Sequence, residues 1–197
     1  MYLKFGDWLS SWHYFMKGRT YLYGGFVSSR NPLLEAITRR ECDRVGRLLS
    51  ILEIGSYRGN SALLFEQYGY VVAVDLWDSA SVRLRDSELH GSQLSRRIFE
   101  RNLKIAGLGR IFPIQGNSLE VLRILQGAQF DMVYVDGGHD YETCRADILL
   151  SWPMVRPGGV ILIDDYETCS YPTVIQAVNE LFPPPVESED GLAWVRK

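Results

Sequence analysis

The chain has 197 residues, 46% of them hydrophobic and 23% charged, with 21 Lys and Arg against 24 Asp and Glu. That length suits one domain with a core of its own. The formal charge of −3 excludes a protein held on nucleic acid by bulk positive charge, because phosphate binding needs a basic face. Cys42, Cys144 and Cys169 follow no zinc-ligand spacing, and no apolar run approaches the length of a membrane span. The odd cysteine number and the lack of a charged-then-apolar leader read as a reducing compartment. A cytoplasmic protein with no membrane or nucleic-acid partner is expected.

The first 27 residues carry nine aromatics: Tyr2, Phe5, Trp8, Trp12, Tyr14, Phe15, Tyr21, Tyr23 and Phe26. Phe5, Trp8, Trp12 and Phe15 recur at helical spacing and would share one face. Such a stripe belongs either to a core or interface, or to a lid over a substrate pocket. A membrane-surface helix would need an opposite face rich in Lys and Arg. Residues 1–31 are therefore set apart as an aromatic cap or interface segment, with a homo-oligomer through it as the expected assembly. Residues 32–197 form the main domain.

Leu33–Leu49 reads as a helix entered at Pro32. Short apolar runs then alternate with helical stretches. Ile51–Ile54, Val71–Val74, Ile111–Ile114, Met132–Val135 and Val160–Ile163 are rich in β-branched residues, as strands buried on both faces of a parallel sheet are. Pro113 puts the third run near the sheet edge or at a strand end. Helices are predicted over Asn60–Tyr68, Leu94–Ala106, Ser118–Leu125 with Ser118 as N-cap, Tyr141–Val155 and Tyr171–Phe182. Arg156-Pro157-Gly158-Gly159 is read as the stop signal of the fourth of these. Val186–Ser188 and Leu192–Arg196, around Glu189-Asp190-Gly191, read as a closing hairpin. The fold class is α/β: a Rossmann-like, doubly wound sheet of seven strands, mostly parallel, with helices on both faces and a C-terminal antiparallel hairpin.

In such a sheet, ligands lie at the carboxyl ends of the strands where the winding reverses. Gly55 and Gly59 allow a tight turn after the first strand. The middle glycine of a dinucleotide fingerprint is missing, and a plain strand–helix turn would look the same. Asp75, 20 residues after Gly55, offers only acceptors and suits the two hydroxyls of a ribose, in a nicotinamide or an S-adenosylmethionine binder alike. Asn117 and Ser118 stand where an adenine amino group would be met, or Ser118 is simply a cap. Asp136, Asp164 and Asp165 end neighbouring strands, and their mutual repulsion would be relieved by a hard divalent cation such as Mg2+. Alternatively one caps a helix and another faces solvent. His139 is either a general base for a substrate hydroxyl or a loop histidine bonded to a neighbour such as Asp140.

The segments ILEIGSYRGNSALLF, VVAVDLW and FDMVYVDGGHDYETCRADILLSWPMVRPGGVILIDDY, within residues 50–167, resemble the class I S-adenosylmethionine-dependent methyltransferases. Within that superfamily they are most similar to the small-molecule O-methyltransferases that include macrocin-type sugar methyltransferases and relatives of cephalosporin hydroxylase. The resemblance implies that Glu53, Gly55, Ser56 and Gly59 line the methionine part of the cofactor. Asp75 would hold its ribose, Leu76 would pack on its adenine, and Asn117 and Ser118 would lie at the adenine edge. It also implies that Asp136, beside the cofactor, joins Asp164 and Asp165 in holding Mg2+. His139 stands where catechol-type relatives carry a catalytic lysine. The expected reaction is methyl transfer from S-adenosylmethionine to a hydroxyl of a small-molecule acceptor, with His139 as base and Tyr57, Arg58 and Tyr166 on the substrate side. A nicotinamide-dependent oxidoreductase and a non-catalytic cofactor-binding interaction protein are the rival classes.

Overall fold

The computed structural model describes residues 31–77, 93–166, 171–183 and 186–197. The aromatic stripe of residues 1–30 and Cys169 lie outside these residues. Seven strands form one sheet: β1 (Leu49–Ile54), β2 (Gly69–Asp75), β3 (Ile111–Gln115), β4 (Phe130–Val135), β5 (Val155–Ile163), β6 (Glu187–Glu189) and β7 (Leu192–Arg196). Their order is β3-β2-β1-β4-β5-β7-β6. The first five run parallel, and β7 pairs antiparallel with both β5 and β6. The helices are α1 (Asn31–Val45), α2 (Asn60–Phe65), α3 (Gln93–Ala106), α4 (Ser118–Ile124), α5 (Tyr141–Ser151) and α6 (Pro172–Leu181).

The period of two along each strand decides which face a side chain joins. Ile51, Val71, Ala73, Met132 and Tyr134 pack with Leu34, Leu63, Phe65 and Phe99 from α1, α2 and α3. Leu52, Val74, Val133 and Val135 pack with Leu122, Ile148 and Val178 from α4, α5 and α6. Two apolar layers thus cover the sheet, which is why its central strands read as continuous hydrophobic runs. The winding reverses beside β1, where the chain goes one way to β2 and returns to β4 on the other side. A crevice at a sheet's carboxyl edge opens at such a point.

Local chemistry moves several predicted boundaries. The first helix ends at Val45 rather than Leu49, because Gly46 takes a φ of 71° and donates its N–H to the Cys42 carbonyl at 2.9 Å. Leu49 then pairs with Gly69 as the first residue of β1. The cap of α4 is Asn117, not Ser118: the Asn117 side chain accepts from Leu119 N at 3.0 Å. The helix before β5 ends at Ser151, four residues early, and passes through a 3-10 turn at Trp152–Met154. The Arg-Pro-Gly-Gly segment is not a helix stop but part of β5, opposite a register shift between Phe130 and Met132. Pro113 lies on β3, the outermost strand, as its missing N–H requires. The hairpin turns through Asp190 and Gly191, both at positive φ, the pairing a tight two-residue turn demands.

At the opposite end of the sheet, Asp131 opens β4 as an anchor. It accepts from Arg47 at 2.8 and 2.9 Å, from Arg156 at 2.9 Å and from Ser50 N at 2.8 Å. These guanidiniums offset the cost of burial and hold its carboxyl below the usual range.

Candidate active site

The backbone ladder continues one residue past the strands and fixes a row of residues along the carboxyl edge. Gly55 N donates to Val74 O at 2.8 Å, Asp136 N to Ile54 O at 2.8 Å, Asp164 N to Val135 O at 2.9 Å and Gly116 N to Asp75 O at 3.0 Å. Four of the sequence-predicted segments therefore meet at this edge. Gly55 is obligatory there: at φ 92°, a Cβ on it would stand 1.9 Å from the Asp136 carbonyl oxygen.

The first loop is held from within. Glu53 is fully buried; its Oε2 accepts from Ser56 Oγ at 2.6 Å, while Oε1 has no partner at hydrogen-bond geometry. Burial pushes its carboxyl up to about 7, against the pull of the Ser56 and Ser61 hydroxyls. Tyr57 follows at φ 45°, and Gly59 at φ 85° precedes α2. Asp75 ties this loop to the next. Its Oδ2 accepts from Tyr57 N at 2.8 Å and its Oδ1 from Trp77 N at 2.7 Å. Each oxygen keeps a second lone pair, so a ribose remains within its capacity. Burial pushes the Asp75 carboxyl up, and the two N–H groups oppose it.

Leu76 is half-buried and its carbonyl accepts from Gln115 Nε2 at 3.2 Å. Trp77, which the sequence reading did not single out, is the larger fixture. It is buried at φ 39°, packs 4.6 Å from Phe99 and donates its indole N–H to Tyr57 O at 2.7 Å. Asn117 and Ser118 lie at the start of α4. Tyr166 is corrected: it is buried and its hydroxyl donates to Asn179 Oδ1 at 2.8 Å, facing α6 rather than a substrate.

Asp136, His139 and Asp165 converge, with ligand-capable atoms all within 4.8 Å of one another. His139 Nε2 meets Asp165 Oδ2 at 2.7 Å, not Asp140, whose side chain instead caps α5 by accepting from Thr143 N at 2.9 Å. The imidazole stacks on Tyr171, ring centroids 4.1 Å apart, and Thr173 Oγ1 donates to the His139 carbonyl at 2.6 Å. Asp165 sits at φ 58°, a conformation that turns its side chain out of the strand direction. Asp164 goes elsewhere. Its Oδ2 accepts from Tyr134 OH at 2.6 Å and its Oδ1 from Asp165 N at 2.8 Å. Tyr134 was legible only as a strand residue, yet a buried phenol must find an acceptor, and that rule points toward the strand-end carboxylates. Burial and the Asp164, Asp165 and Glu53 carboxylates push Asp136 well above the ordinary range. Burial, with Asp136 and Asp164 nearby, also pushes the Tyr134 phenol well up.

This edge can grip an extended ligand between the first loop and Asp75, and can hold a proton or a cation at the Asp136, His139 and Asp165 cluster. A family described as a methyltransferase domain matches residues 52–166, more than half of the chain. The chain belongs to that family, and its fold is that of the class I S-adenosylmethionine-dependent methyltransferases.

Two curated relatives are each 27% identical: the O-methyltransferase ankF of Aspergillus thermomutatus over 119 residues, and the uncharacterized protein R132 of Acanthamoeba polyphaga mimivirus over 138 residues. The matches cover 60% of this chain and 46% of the first relative, and 68% and 59% for the second. The chain thus spans about half the length of these relatives. Among solved structures, the O-methyltransferase NovP superposes with a TM-score of 0.65 at 17% identity, over 85% of this chain and 79% of that one. The Bacillus cereus O-methyltransferase in complex with SAH gives 0.64 at 17%, over 100% and 93%. TomG of Streptomyces achromogenes in complex with SAM gives 0.62 at 16%, over 98% and 89%. At these identities the likeness establishes the fold.

Proposed function

We propose that this chain transfers the methyl group of S-adenosylmethionine to a hydroxyl oxygen of a small-molecule acceptor, with His139 as the base. The observation that carries this reading is the His139–Asp165 contact at 2.7 Å, beside Asp136 at the carboxyl edge of the sheet. An imidazole that donates Nε2–H to a carboxylate keeps the lone pair on Nδ1 for a proton. Stacking on Tyr171 and the Thr173 bond to its carbonyl hold the ring in one orientation. That the curated relative ankF is an O-methyltransferase supports oxygen as the acceptor atom.

The residues present suit the cofactor. Glu53 Oε1 is a buried acceptor left over for an ammonium or hydroxyl donor, and Asp75 retains acceptor capacity on both oxygens. When bound, S-adenosylmethionine supplies a methyl group already electrophilic on sulfur. The first loop then has only to orient it, and His139 to take the acceptor's proton.

The cluster also suits a divalent cation: two carboxylates and an imidazole are a competent donor set, and a cation would relieve the crowding of Asp136 by three other carboxylates. Asp136 and Asp165 would hold it, with Asp164 recruited from Tyr134 or His139 recruited from its role as base. When bound, the cation supplies positive charge that eases deprotonation of the acceptor. A ligand imidazole cannot also be the base, so the two roles of His139 exclude each other. A screen of sugars, phenols and amines with methyl-labelled S-adenosylmethionine, run with Mg2+, Mn2+ or chelator, tests the whole reading. Methylated oxygen in the product supports it; methyl transfer only to nitrogen or carbon acceptors overturns it.

A further inference from the structure

Asp147 is the one residue of the α5 core stripe Cys144, Asp147, Ile148 and Ser151 that carries a carboxylate. It is fully buried, and neither of its oxygens completes a hydrogen bond of standard geometry. An apolar side chain of similar size would serve the core better. The carboxylate is wedged at the floor of the cofactor edge. A Cβ on Gly137, in the loop between Asp136 and His139, would stand 3.0 Å from Asp147 Oδ2. The Ser118 hydroxyl at the start of α4 is near enough to act on it. Burial and the Asp140 charge push the Asp147 carboxyl up to about 6, and the Ser118 hydroxyl pulls it down. The group is thus an anion at neutral pH and above, facing a neighbouring hydroxyl.

We propose that Asp147 is a positioning residue for the adenine of the cofactor: its carboxylate accepts a hydrogen bond from the Ser118 hydroxyl, so that Ser118 Oγ turns lone pairs toward the exocyclic amino group of the base. This rests on the reading that S-adenosylmethionine binds with its adenine at Asn117 and Ser118. The logic is one of donors and acceptors. A carboxylate only accepts, and a serine hydroxyl has one proton. Once its O–H is directed at Asp147, Ser118 can only accept from the base, which suits a 6-amino purine and rejects a 6-oxo purine. Asn117 Oδ1 already accepts from Leu119 N and keeps one lone pair, so Ser118 is the acceptor with both available.

Calorimetric titration of the full chain at pH 8 with S-adenosylhomocysteine, and with its 6-oxo counterpart S-inosylhomocysteine, tests the proposal. The unaltered protein should prefer the 6-amino ligand by ~tenfold or more, as sites built around a specific hydrogen bond do. In Asp147→Asn that ratio should collapse to within ~twofold, because an amide donates to Ser118 as readily as it accepts and frees the hydroxyl proton. Ser118→Ala should show the same collapse, and the double variant no further loss. The ratio is the readout, since a merely loosened core weakens both ligands alike. A wild-type ratio in Asp147→Asn overturns the proposal. If that variant does not fold, an unchanged ratio in Ser118→Ala does so. Failure of the unaltered protein to bind either ligand instead overturns the cofactor reading beneath it.

Discussion

His139 and Glu53 carry the two sharpest expectations at the scale of single residues. His139→Ala should lower kcat roughly 10²–10⁴-fold, the usual worth of a positioned base, with the affinity for S-adenosylhomocysteine unchanged. Steady-state kinetics and calorimetry on one preparation check this; weakened Mn2+ binding in the same variant would assign the imidazole to a cation instead. Glu53 loses its proton near 7 when folded, against 4.5 for the free group. The folded state therefore binds more protons between those values. Its contribution to stability is fully present below about 4.5 and is lost as the pH rises through about 7. At ~1.4 kcal/mol per pKa unit the loss is on the order of 3 kcal/mol. Glu53→Gln should then be more stable than the unaltered protein at pH 8, with the two converging near pH 4, in denaturant titrations across pH. Parallel curves would count against this. Asp136 and His139 were readable as strand-end and loop residues of the Val-Asp-Gly-Gly-His segment. The diversion of Asp164 to Tyr134 was not, because it depends on the β4–β5 register, which places both side chains at the same edge.

At the scale of elements, the two glycines of the first loop should behave differently. At Gly55 the obstacle to a Cβ is backbone, the Asp136 carbonyl at 1.9 Å, and backbone at a paired edge cannot yield. At Gly59 the obstacle is a side chain, the Phe99 ring at 2.8 Å, which is buried against Trp77 and would have to be displaced. Gly55→Ala should abolish folding or cofactor binding. Gly59→Ala should cost about 2–4 kcal/mol, for its positive φ and the displaced ring, and retain binding. Thermal melts of both variants decide it, and equal losses would refute the distinction. The strands were legible because burial on both faces makes each a continuous apolar run. Arg156-Pro157-Gly158-Gly159 misled because its proline and glycines match a helix stop. It lies in a strand because Arg156 reaches back to Asp131, and Gly159 gives room where a Cβ would stand 2.7 Å from the Asp131 carbonyl oxygen.

At the scale of the whole molecule, every residue assigned to the cofactor lies between Glu53 and Asp147, while the aromatic segment lies before residue 31. We propose that this segment closes the acceptor side or joins two copies. Deleting residues 1–26 should leave S-adenosylhomocysteine binding intact while abolishing acceptor turnover or changing the sedimentation mass. Full turnover at unchanged mass would show the segment to be dispensable. The seven-stranded, mostly parallel sheet and its closing hairpin were readable from the alternation of runs and helices; the oligomeric state was not, since an aromatic stripe serves a core, a lid or an interface equally well. The central claim is that the first loop and Asp75 grip S-adenosylmethionine. Calorimetric titration of S-adenosylhomocysteine into the full chain and into Asp75→Ala, with folding of the variant verified by denaturation, tests it most directly. Saturable one-to-one binding, weakened at least ~tenfold by the substitution, is the predicted result, since charge-assisted bonds of ~1.5–3 kcal/mol each are removed. Absence of saturable binding, or the same dissociation constant in both proteins, would contradict it.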